Sequence, residues 1–275
     1  MRCAWDELIR IVPNRFRREV DRLGREDLQE LHLRLGEKPE LVRAKTGSWL
    51  PERVSQDDIA FVINSASQYS PWAAETAAKG YITAPGGHRI GIAGVCTLRG
   101  GTLIGIRQPR SVCIRVARDF SGIGTNLATN GSVLILGPPG SGKTTLLRDL
   151  IRQRSATMTI GVVDERCELF PVEANFPCGP RTDILSGCSK RDGLQMLLKT
   201  MGPEVIATDE ITGEDDCRGL LQAAWCGVKL LATAHATDLT DLYQRQIYRP
   251  LLDGGLFDAF VIMGENKSWR MERMS

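Results

Sequence analysis

The segment Gly137–Thr144, with the sequence GPPGSGKT, constrains the fold of this chain more than any other feature. It fits the phosphate-loop pattern G-x-x-x-x-G-K-[ST] at every fixed position. Glycines permit the tight turn that points successive backbone N–H groups at the phosphates of a nucleotide. The pattern assigns Lys143 to the β- and γ-phosphates and the Thr144 hydroxyl to Mg²⁺. The predicted nucleotide-binding residues are Gly137, Pro138, Pro139, Gly140, Ser141, Gly142, Lys143, Thr144 and Thr145.

The residues on both sides of this loop agree with a phosphate site. Ser132–Leu136 is a short apolar run, which is typical of a buried parallel strand. Thr145–Arg152 continues with helical spacing. A helix that begins at the loop adds the positive end of its dipole to an anion site. The sequence therefore predicts a strand, a phosphate loop and a helix in the order that the chemistry requires.

The rest of the C-terminal part alternates strands with helices, which predicts an α/β domain with a parallel sheet over residues 126–275. The predicted strands are Val133–Leu136, Thr159–Val163, Val205–Thr208 and Leu230–Thr233, and the predicted helices are Thr144–Gln153, Gly193–Met201 and Cys217–Cys226. Ligands of open α/β sheets bind at the carboxyl ends of the strands. We therefore expect the site at that edge.

Residues 1–125 predict a smaller α+β domain, and the glycine-containing stretch Asp119–Asn126 predicts the boundary. The predicted helices are Pro13–Leu23, Gln56–Tyr69 and Trp72–Lys79, and the predicted strands are Leu28–Leu35, Glu40–Arg43, His88–Ala93, Gly94–Leu98, Thr102–Ile106 and Val112–Val116. Strands in such close succession favour an antiparallel sheet. Arginines on the Pro13–Leu23 helix predict a solvated face, with a membrane-surface or partner-binding helix as the alternative.

Composition excludes several classes of protein. The 275 residues are 42% hydrophobic and 25% charged, as in ordinary folded domains, and the formal net charge of +2 gives no global reason to expect nucleic-acid binding. The sequence has no apolar run of the ~20 residues that span a bilayer and no signal peptide at its start, so we expect a cytosolic protein. The eight cysteines form no C-x-x-C pair and predict free thiols, with a redox or metal role left open.

Two further predicted strands end in carboxylates, which suit Mg²⁺ binding and acid–base chemistry. Asp209 follows the Val205–Thr208 strand and is the predicted Mg²⁺ ligand opposite the phosphate loop. Glu210 is the predicted base that orients and deprotonates the attacking water. The Val162–Val163 strand ends in Asp164 and Glu165, and an acid there is a second water-positioning candidate, with a helix-capping or salt-bridging role as the alternative.

Thr233 and His235 end a fourth strand, and either is a candidate sensor of the γ-phosphate, Thr233 by hydrogen bonding and His235 likewise or as a cation. The predicted catalytic residue of the two is His235. With Glu210, Glu165 and Lys143, it completes the predicted catalytic set. Arg181 lies in a long stretch that predicts an irregular loop, where contact with phosphate or a neighbouring subunit is plausible.

These motifs, in this order, resemble the stage III sporulation protein AA family, which is related to secretion and pilus-motor ATPases. The resemblance covers nearly the whole chain and is sharpest in the segments Gly137–Asp149, Val163–Arg166, Arg181–Leu185, Asp209–Ile211 and Thr233–His235, with Gly87–Gly94 in the N-terminal part. It implies a hexameric, RecA-like P-loop ATPase core beneath a smaller N-terminal domain. It also implies that Asp164–Glu165 form an acidic box and Thr233–His235 a histidine box.

The resemblance further implies a Mg²⁺-dependent ATPase that acts as a motor at the cytosolic face of a membrane channel complex, in the mother cell of an endospore-forming bacterium. Two alternatives stay open: a RecA-like nucleic-acid ATPase, and a nucleotide-binding assembly scaffold that barely hydrolyses ATP. Near-neutral charge disfavours the first, and the intact set of Lys143, Thr144, Asp209 and Glu210 disfavours the second.

Hydrolysis is expected to need contact between subunits, because many phosphoryl-transfer enzymes receive a charge-stabilising arginine in trans. The candidates outside the phosphate loop are Arg89, Arg107, Arg115 and Arg181.

Overall fold

The structure of this protein is a computed structural model that describes residues 2–43, 46–68, 77, 80–127, 129–264 and 267–273. The chain divides into two compact units. The first contains Met1–Asp119 and Pro171–Asn175, and the second contains Phe120–Phe170 and Phe176–Ser275. The predicted domain boundary after residue 125 stays a prediction.

The first unit is an antiparallel sheet with helices packed on one face. Its helices are α1 (Trp5–Ile11), α2 (Asn14–Gly24) and α3 (Gln56–Ser67). Its strands are β1 (Leu28–Arg34), β2 (Glu40–Arg43), β3 (Gly47–Trp49), β4 (Tyr81–Thr83), β5 (Arg89–Arg99) and β6 (Thr102–Arg115). Among the described residues, the strand order is β3-β2-β1-β6-β5-β4, and every pairing is antiparallel.

The core of the first unit follows from the two periodicities in the sequence. Phe16 and Val20 on α2 are buried at helical spacing, and Leu31 and Leu33 on β1 are buried at strand spacing. Helix α3 begins at a capping box in which Ser55 and Asp58 each accept a hydrogen bond from the other's backbone N–H.

The four strands predicted between residues 88 and 116 are two long ones, which corrects the sequence analysis. Strands β5 and β6 pair along their whole length, with three shifts of register that act as β-bulges. One bulge lies at Gly94, where an added Cβ would lie 2.0 Å from the Gln108 carbonyl oxygen. The glycine therefore admits a close backbone approach without ending the strand. The predicted Trp72–Lys79 helix lies almost wholly outside the described residues.

The second unit is a mostly parallel sheet with helices around it. Its strands are β7 (Val133–Leu136), β8 (Ile160–Asp164), β9 (Thr182–Ser186), β10 (Val205–Glu210), β11 (Lys229–Ala234), β12 (Ala259–Met263) and β13 (Trp269–Arg273). In the described part of the chain their order is β13-β12-β7-β11-β10-β8-β9, and only β13 is antiparallel to its neighbour. The predicted α/β fold class is therefore confirmed.

The helices of the second unit are α4 (Lys143–Arg154), α5 (Lys190–Thr200), α6 (Glu214–Trp225), α7 (Leu239–Gln244) and α8 (Arg249–Asp253). Side chains from α5, α6 and α8 share one core with strands β7, β8, β10, β11 and β12. No helix in the described ranges is both long enough and apolar enough to span a membrane.

Strands β9, β12 and β13 were not predicted from the sequence. Arg181 lies in a turn immediately before β9, at the end of an irregular stretch that begins after β8 and contains one short 3-10 turn at Val172–Ala174. Its guanidinium donates to the Thr157 carbonyl oxygen at 3.0 Å. Because β8 and β9 are parallel, this position is at the amino ends of the strands, at the opposite edge of the sheet from the phosphate loop.

Candidate functional site

The phosphate loop connects the carboxyl end of β7 to the first turn of α4. All four residues of β7 are buried, so the strand anchors the loop in the core. Gly140 and Gly142 have φ angles of 75° and 102°, a region that residues with a Cβ rarely adopt. Helix α4 begins at Lys143, and its positive dipole end faces the loop.

Lys143 lies across the loop and is only 7% exposed. Its Nζ donates to the carbonyl oxygens of Gly137 at 2.7 Å and Pro138 at 2.9 Å. Burial lowers the pKa of Lys143, and the nearby carboxylate of Glu210 opposes that shift. The ammonium is therefore held at the mouth of the loop by backbone acceptors that a phosphate oxygen can replace.

His235 joins this lysine to Glu210. The Lys143 Nζ lies 3.3 Å from His235 Nδ1, and His235 Nε2 lies 2.7 Å from Glu210 Oε1. Since a carboxylate only accepts, Glu210 assigns a proton to Nε2, whereas Nδ1 lies at 3.3 Å both from the Lys143 ammonium and from the Gly137 carbonyl oxygen. Three of the four predicted catalytic residues thus form one polar chain.

The strand order explains why residues so far apart in sequence meet here. Strand β11 lies between β7 and β10 and pairs in parallel with both. The loop after β7, His235 after β11 and Glu210 at the end of β10 therefore lie at the same edge of the sheet. Thr208, the polar residue within β10, donates from its hydroxyl to the Val163 carbonyl oxygen at 3.2 Å, so it does not disturb the strand.

The remaining predicted acids gather around Lys190, a residue that the sequence analysis missed. Its side chain is 2% exposed, and its Nζ lies 2.7 Å from Glu165, 3.0 Å from Asp209 and 3.8 Å from Asp216. Burial lowers the pKa of Lys190, but the carboxylates more than offset this and raise it overall. Burial raises the pKa of Asp209 to about 6, against the opposing effect of Lys190.

Asp164 has a structural role next to this cluster. Its buried carboxylate accepts hydrogen bonds from the backbone N–H groups of Glu168, Leu169 and Phe170 at 2.8, 3.0 and 2.9 Å. Of these two acids at the carboxyl end of β8, Glu165 is the one whose carboxylate pairs with Lys190. Burial raises the pKa of Asp164, and these backbone donors oppose the shift.

A cavity of about 590 Å³ adjoins the phosphate loop. Its walls include Thr144 and Thr145 from α4, and Phe120, Ile123 and Trp269 supply much of its apolar lining. The Trp269 indole N–H donates to the Ile123 carbonyl oxygen at 3.3 Å, which fixes the ring at the rim. No hydrogen bond joins the side chains of Thr144 and Asp209 among the described residues.

The residues present suit a nucleotide with Mg²⁺. The Ser141 hydroxyl in the loop is buried without a hydrogen-bond partner among the described residues, as expected for a group that contacts a ligand. Asp209 and Thr144 offer the oxygen ligands that Mg²⁺ prefers. The donor set therefore fits both groups.

Three of the four candidate trans arginines already have partners within the chain. Arg89 stacks over the Tyr81 ring at 4.4 Å, Arg115 pairs with Glu30 at 3.1 Å, and Arg181 binds a backbone carbonyl. Arg107 is exposed on β6 and makes no hydrogen bond, ion pair or ring contact in the described chain.

Neither Lys190 nor Trp269 carried a signal in the sequence. The predicted helix begins at Gly193, so Lys190 lies before it, whereas α5 of the structure begins at Lys190. Trp269 reaches the loop through strand β13, which the sequence analysis does not predict.

Comparisons with known proteins agree with this architecture. The family described as "Sporulation stage III, protein AA" matches residues 4–271. Stage III sporulation protein AA of Bacillus subtilis (strain 168) is 32% identical over 281 residues, which cover 95% of this chain and 92% of the relative.

Two solved structures, a pilus retraction motor and an ATPase, have a similar fold. The pilus retraction motor PilT with bound ADP superposes with a TM-score of 0.57 at 16% identity, over 89% of this chain and 76% of PilT. The ATPase DotB of Legionella pneumophila gives a TM-score of 0.57 at 15% identity, over 86% and 72%. Identities this low show the fold alone. The family match and the relative from Bacillus subtilis together show that this chain belongs to the stage III sporulation protein AA family.

Proposed function

We propose that this chain binds ATP with Mg²⁺ and hydrolyses it. The observation that carries the proposal is the polar chain from Lys143 through His235 to Glu210, which starts at the phosphate loop and ends in a carboxylate. A lysine alone binds phosphate. A carboxylate connected to it supplies the base that hydrolysis needs.

Each residue at the site has a role that follows from the chemistry of its side chain. The loop N–H groups and Lys143 bind the phosphates, and Lys143 exchanges its backbone acceptors for phosphate oxygens. Glu210 accepts a proton from the attacking water. His235, whose Nε2–H donates to Glu210, holds that carboxylate in orientation and responds to the charge at Lys143. Thr144 and Asp209 would hold Mg²⁺, which neutralises charge on the β- and γ-phosphates when bound.

The acid cluster supports a second positioning role. Glu165 is tied to Lys190, and the same lysine is paired with Asp209. We assign Glu165 to positioning within this cluster. The apolar walls formed by Phe120, Ile123 and Trp269 suit the face of a nucleobase, with the phosphates toward the loop.

The test is ATP binding and hydrolysis by Lys143→Ala. We expect ATP affinity to fall by about 10–150-fold, because the contact is a charge-assisted bond of about 1.5–3 kcal/mol, and turnover to be lost. Titration with a fluorescent nucleotide and a phosphate-release assay measure the two effects. Lys199→Ala, an exposed lysine on α5, is the matched control. Unchanged affinity and turnover in Lys143→Ala would show that the loop is not the site.

We further propose that the chain works as a homo-oligomer, a hexamer by family resemblance, at the cytosolic face of a membrane complex. The exposed, unpaired Arg107 is the candidate to complete a neighbour's site. Mixing Arg107→Ala with Lys143→Ala should restore part of the activity that each lacks, since each supplies what the other has lost. Activity that is independent of concentration down to a monomer, without rescue on mixing, would contradict a shared site.

A further inference from the structure

Three side chains with metal-ligand chemistry meet on the open face of the antiparallel sheet, within the first unit. Glu30 and His32 are two residues apart on β1, and His32 pairs directly across the strands with Cys113 on β6. Alternation along the strands places all three on one face, since Leu31 and Leu33 between and beyond them are buried in the core. The ligand atoms of Glu30, His32 and Cys113 all lie within 4.8 Å of one another.

The distances among these atoms are close to those around a single tetrahedral ion. His32 Nε2 lies 2.9 Å from Glu30 Oε2 and 3.8 Å from Cys113 Sγ. Zinc bonds to nitrogen, oxygen and sulfur imply separations of about 3.4 Å for the nitrogen–oxygen pair and about 3.6 Å for the nitrogen–sulfur pair. The Glu30 and Cys113 ligand atoms lie within 4.8 Å, against about 3.6 Å around a tetrahedral zinc ion, so side-chain shifts of up to about an ångström would bring all three ligand atoms to one ion.

Arg115 orients the carboxylate without blocking it. Its Nε lies 3.1 Å from Glu30 Oε1, whereas the other oxygen, Oε2, faces His32. Ligating carboxylates in metal sites are commonly held by such a second hydrogen bond.

Space beside the thiol leaves room for a fourth ligand. Gly91 on β5 pairs across from Cys113 on the side away from β1, and it contributes no side chain. A cavity of about 280 Å³ opens there, lined by His32, Arg34, Gly80, Gly91, Ser111 and Cys113 among others. Sites with three protein ligands characteristically keep a water or an exchangeable ligand in the fourth position.

We propose that Glu30, His32 and Cys113 bind one zinc-class divalent transition-metal ion, with its fourth position open to this cavity. The thiolate and imidazole select a zinc-class ion over Mg²⁺ or Ca²⁺, which take oxygen ligands. The ion binds the Cys113 thiolate, so its binding would release the thiol proton.

The test is Co²⁺ and Zn²⁺ binding by the full chain without nucleotide. We expect one equivalent of Co²⁺ to give a thiolate-to-cobalt absorption band, which Zn²⁺ then removes by displacement. Cys113→Ser should abolish the band and weaken Zn²⁺ binding, measured against a chromophoric chelator, by at least about tenfold. Cys96→Ser, an exposed cysteine on β5, is the matched control and should retain both.

His32→Gln provides a second, independent variant in case Cys113→Ser does not fold, as judged by circular dichroism. We expect it to weaken the band and Zn²⁺ affinity in the same direction. The proposal is overturned if the parent protein gives no thiolate band at stoichiometric Co²⁺, or if the band survives in whichever of the two variants is folded.

Discussion

Strands β7, β8 and β12 of the parallel sheet are buried along their whole length, whereas β1 of the antiparallel sheet alternates buried leucines with half-buried polar residues. A sheet covered on both faces leaves polar side chains only at the strand ends, and in parallel strands those ends share one edge. A sheet with one open face carries polar residues along its strands. Polar chemistry is therefore gathered at an edge in the second unit and distributed over a face in the first.

The same contrast applies to charges. Lys190 and Asp209 in the second unit are largely withdrawn from water, while ion pairs on the sheet of the first unit, such as Arg34 with Glu40, remain half-exposed. Opposite charges in water stabilise a fold only slightly, but a buried charge that loses its partner is costly. Three experiments test whether this difference between the units holds.

The largest expected effect is on ATP hydrolysis at the carboxyl-end edge of the parallel sheet. Glu210→Gln keeps the shape and removes the base, so we expect ATP to bind and turnover to fall by about 10²–10⁴-fold. Glu40→Gln, a carboxylate on β2 of the antiparallel sheet, is the matched control and should turn over like the parent. Single-turnover hydrolysis and nucleotide titration separate the two steps. If Glu165→Gln loses turnover while Glu210→Gln does not, the roles of the two acids are reversed.

The second effect is on stability. Lys190→Met leaves Asp209 and Glu165 without their cation, and we expect the free energy of unfolding to fall by about 3–5 kcal/mol. The exposed counterpart Arg34→Met should cost about 0–1 kcal/mol. Urea unfolding of both variants measures the difference. An equal loss of unfolding free energy in both variants would mean that the ion pairs around Lys190 stabilise the protein no more than those on the antiparallel sheet.

The smallest effect is on pH dependence, and it concerns the buried histidine of the first unit. His88 is fully buried, with Nδ1 accepting from the Ala117 N–H and Nε2 donating to the Ala4 carbonyl oxygen. Burial lowers the pKa of His88 below its ordinary 6.5. Below pH 6.5 the histidine binds a proton in the unfolded chain but stays neutral in the folded chain, down to its lowered pKa. The contribution of His88 to the free energy of unfolding is therefore fully present above pH 6.5 and is lost as the pH falls.

We expect the free energy of unfolding to decrease below pH 6.5 by up to about 1.4 kcal/mol per pH unit from this residue. His88→Gln should lack this component, and His235→Gln should keep it. Urea titrations at a series of pH values between 5 and 8 measure the slope. A slope that is the same in the parent and in His88→Gln would show that another group is responsible.

Much of the fold was predictable because local patterns matched it. Helices Pro13–Leu23 and Gln56–Tyr69 correspond to α2 and α3, and the strand pair around residues 28–43 corresponds to β1 and β2. Local sequence patterns predicted strand boundaries wrongly where pairing with a neighbouring strand sets them. The sequence analysis begins a new strand at Gly94, but the partner strand accommodates this glycine as a bulge. Strand β12 is an apolar run like β7 and was missed, whereas β9 and β13 are edge strands of mixed polarity that depend on their neighbours.

The sequence by itself determined the phosphate loop, the acids at the ends of strands and the family, because each depends on short motifs of consecutive residues. Only the tertiary structure decided which side chains each acid contacts. The order β7-β11-β10-β8 connects Glu210 to Lys143 through His235 and leaves Asp209 and Glu165 to Lys190. It also brought His32 to Cys113, from strands far apart in sequence. Strand register and order are set by the packing of the whole sheet, and no local motif encodes them.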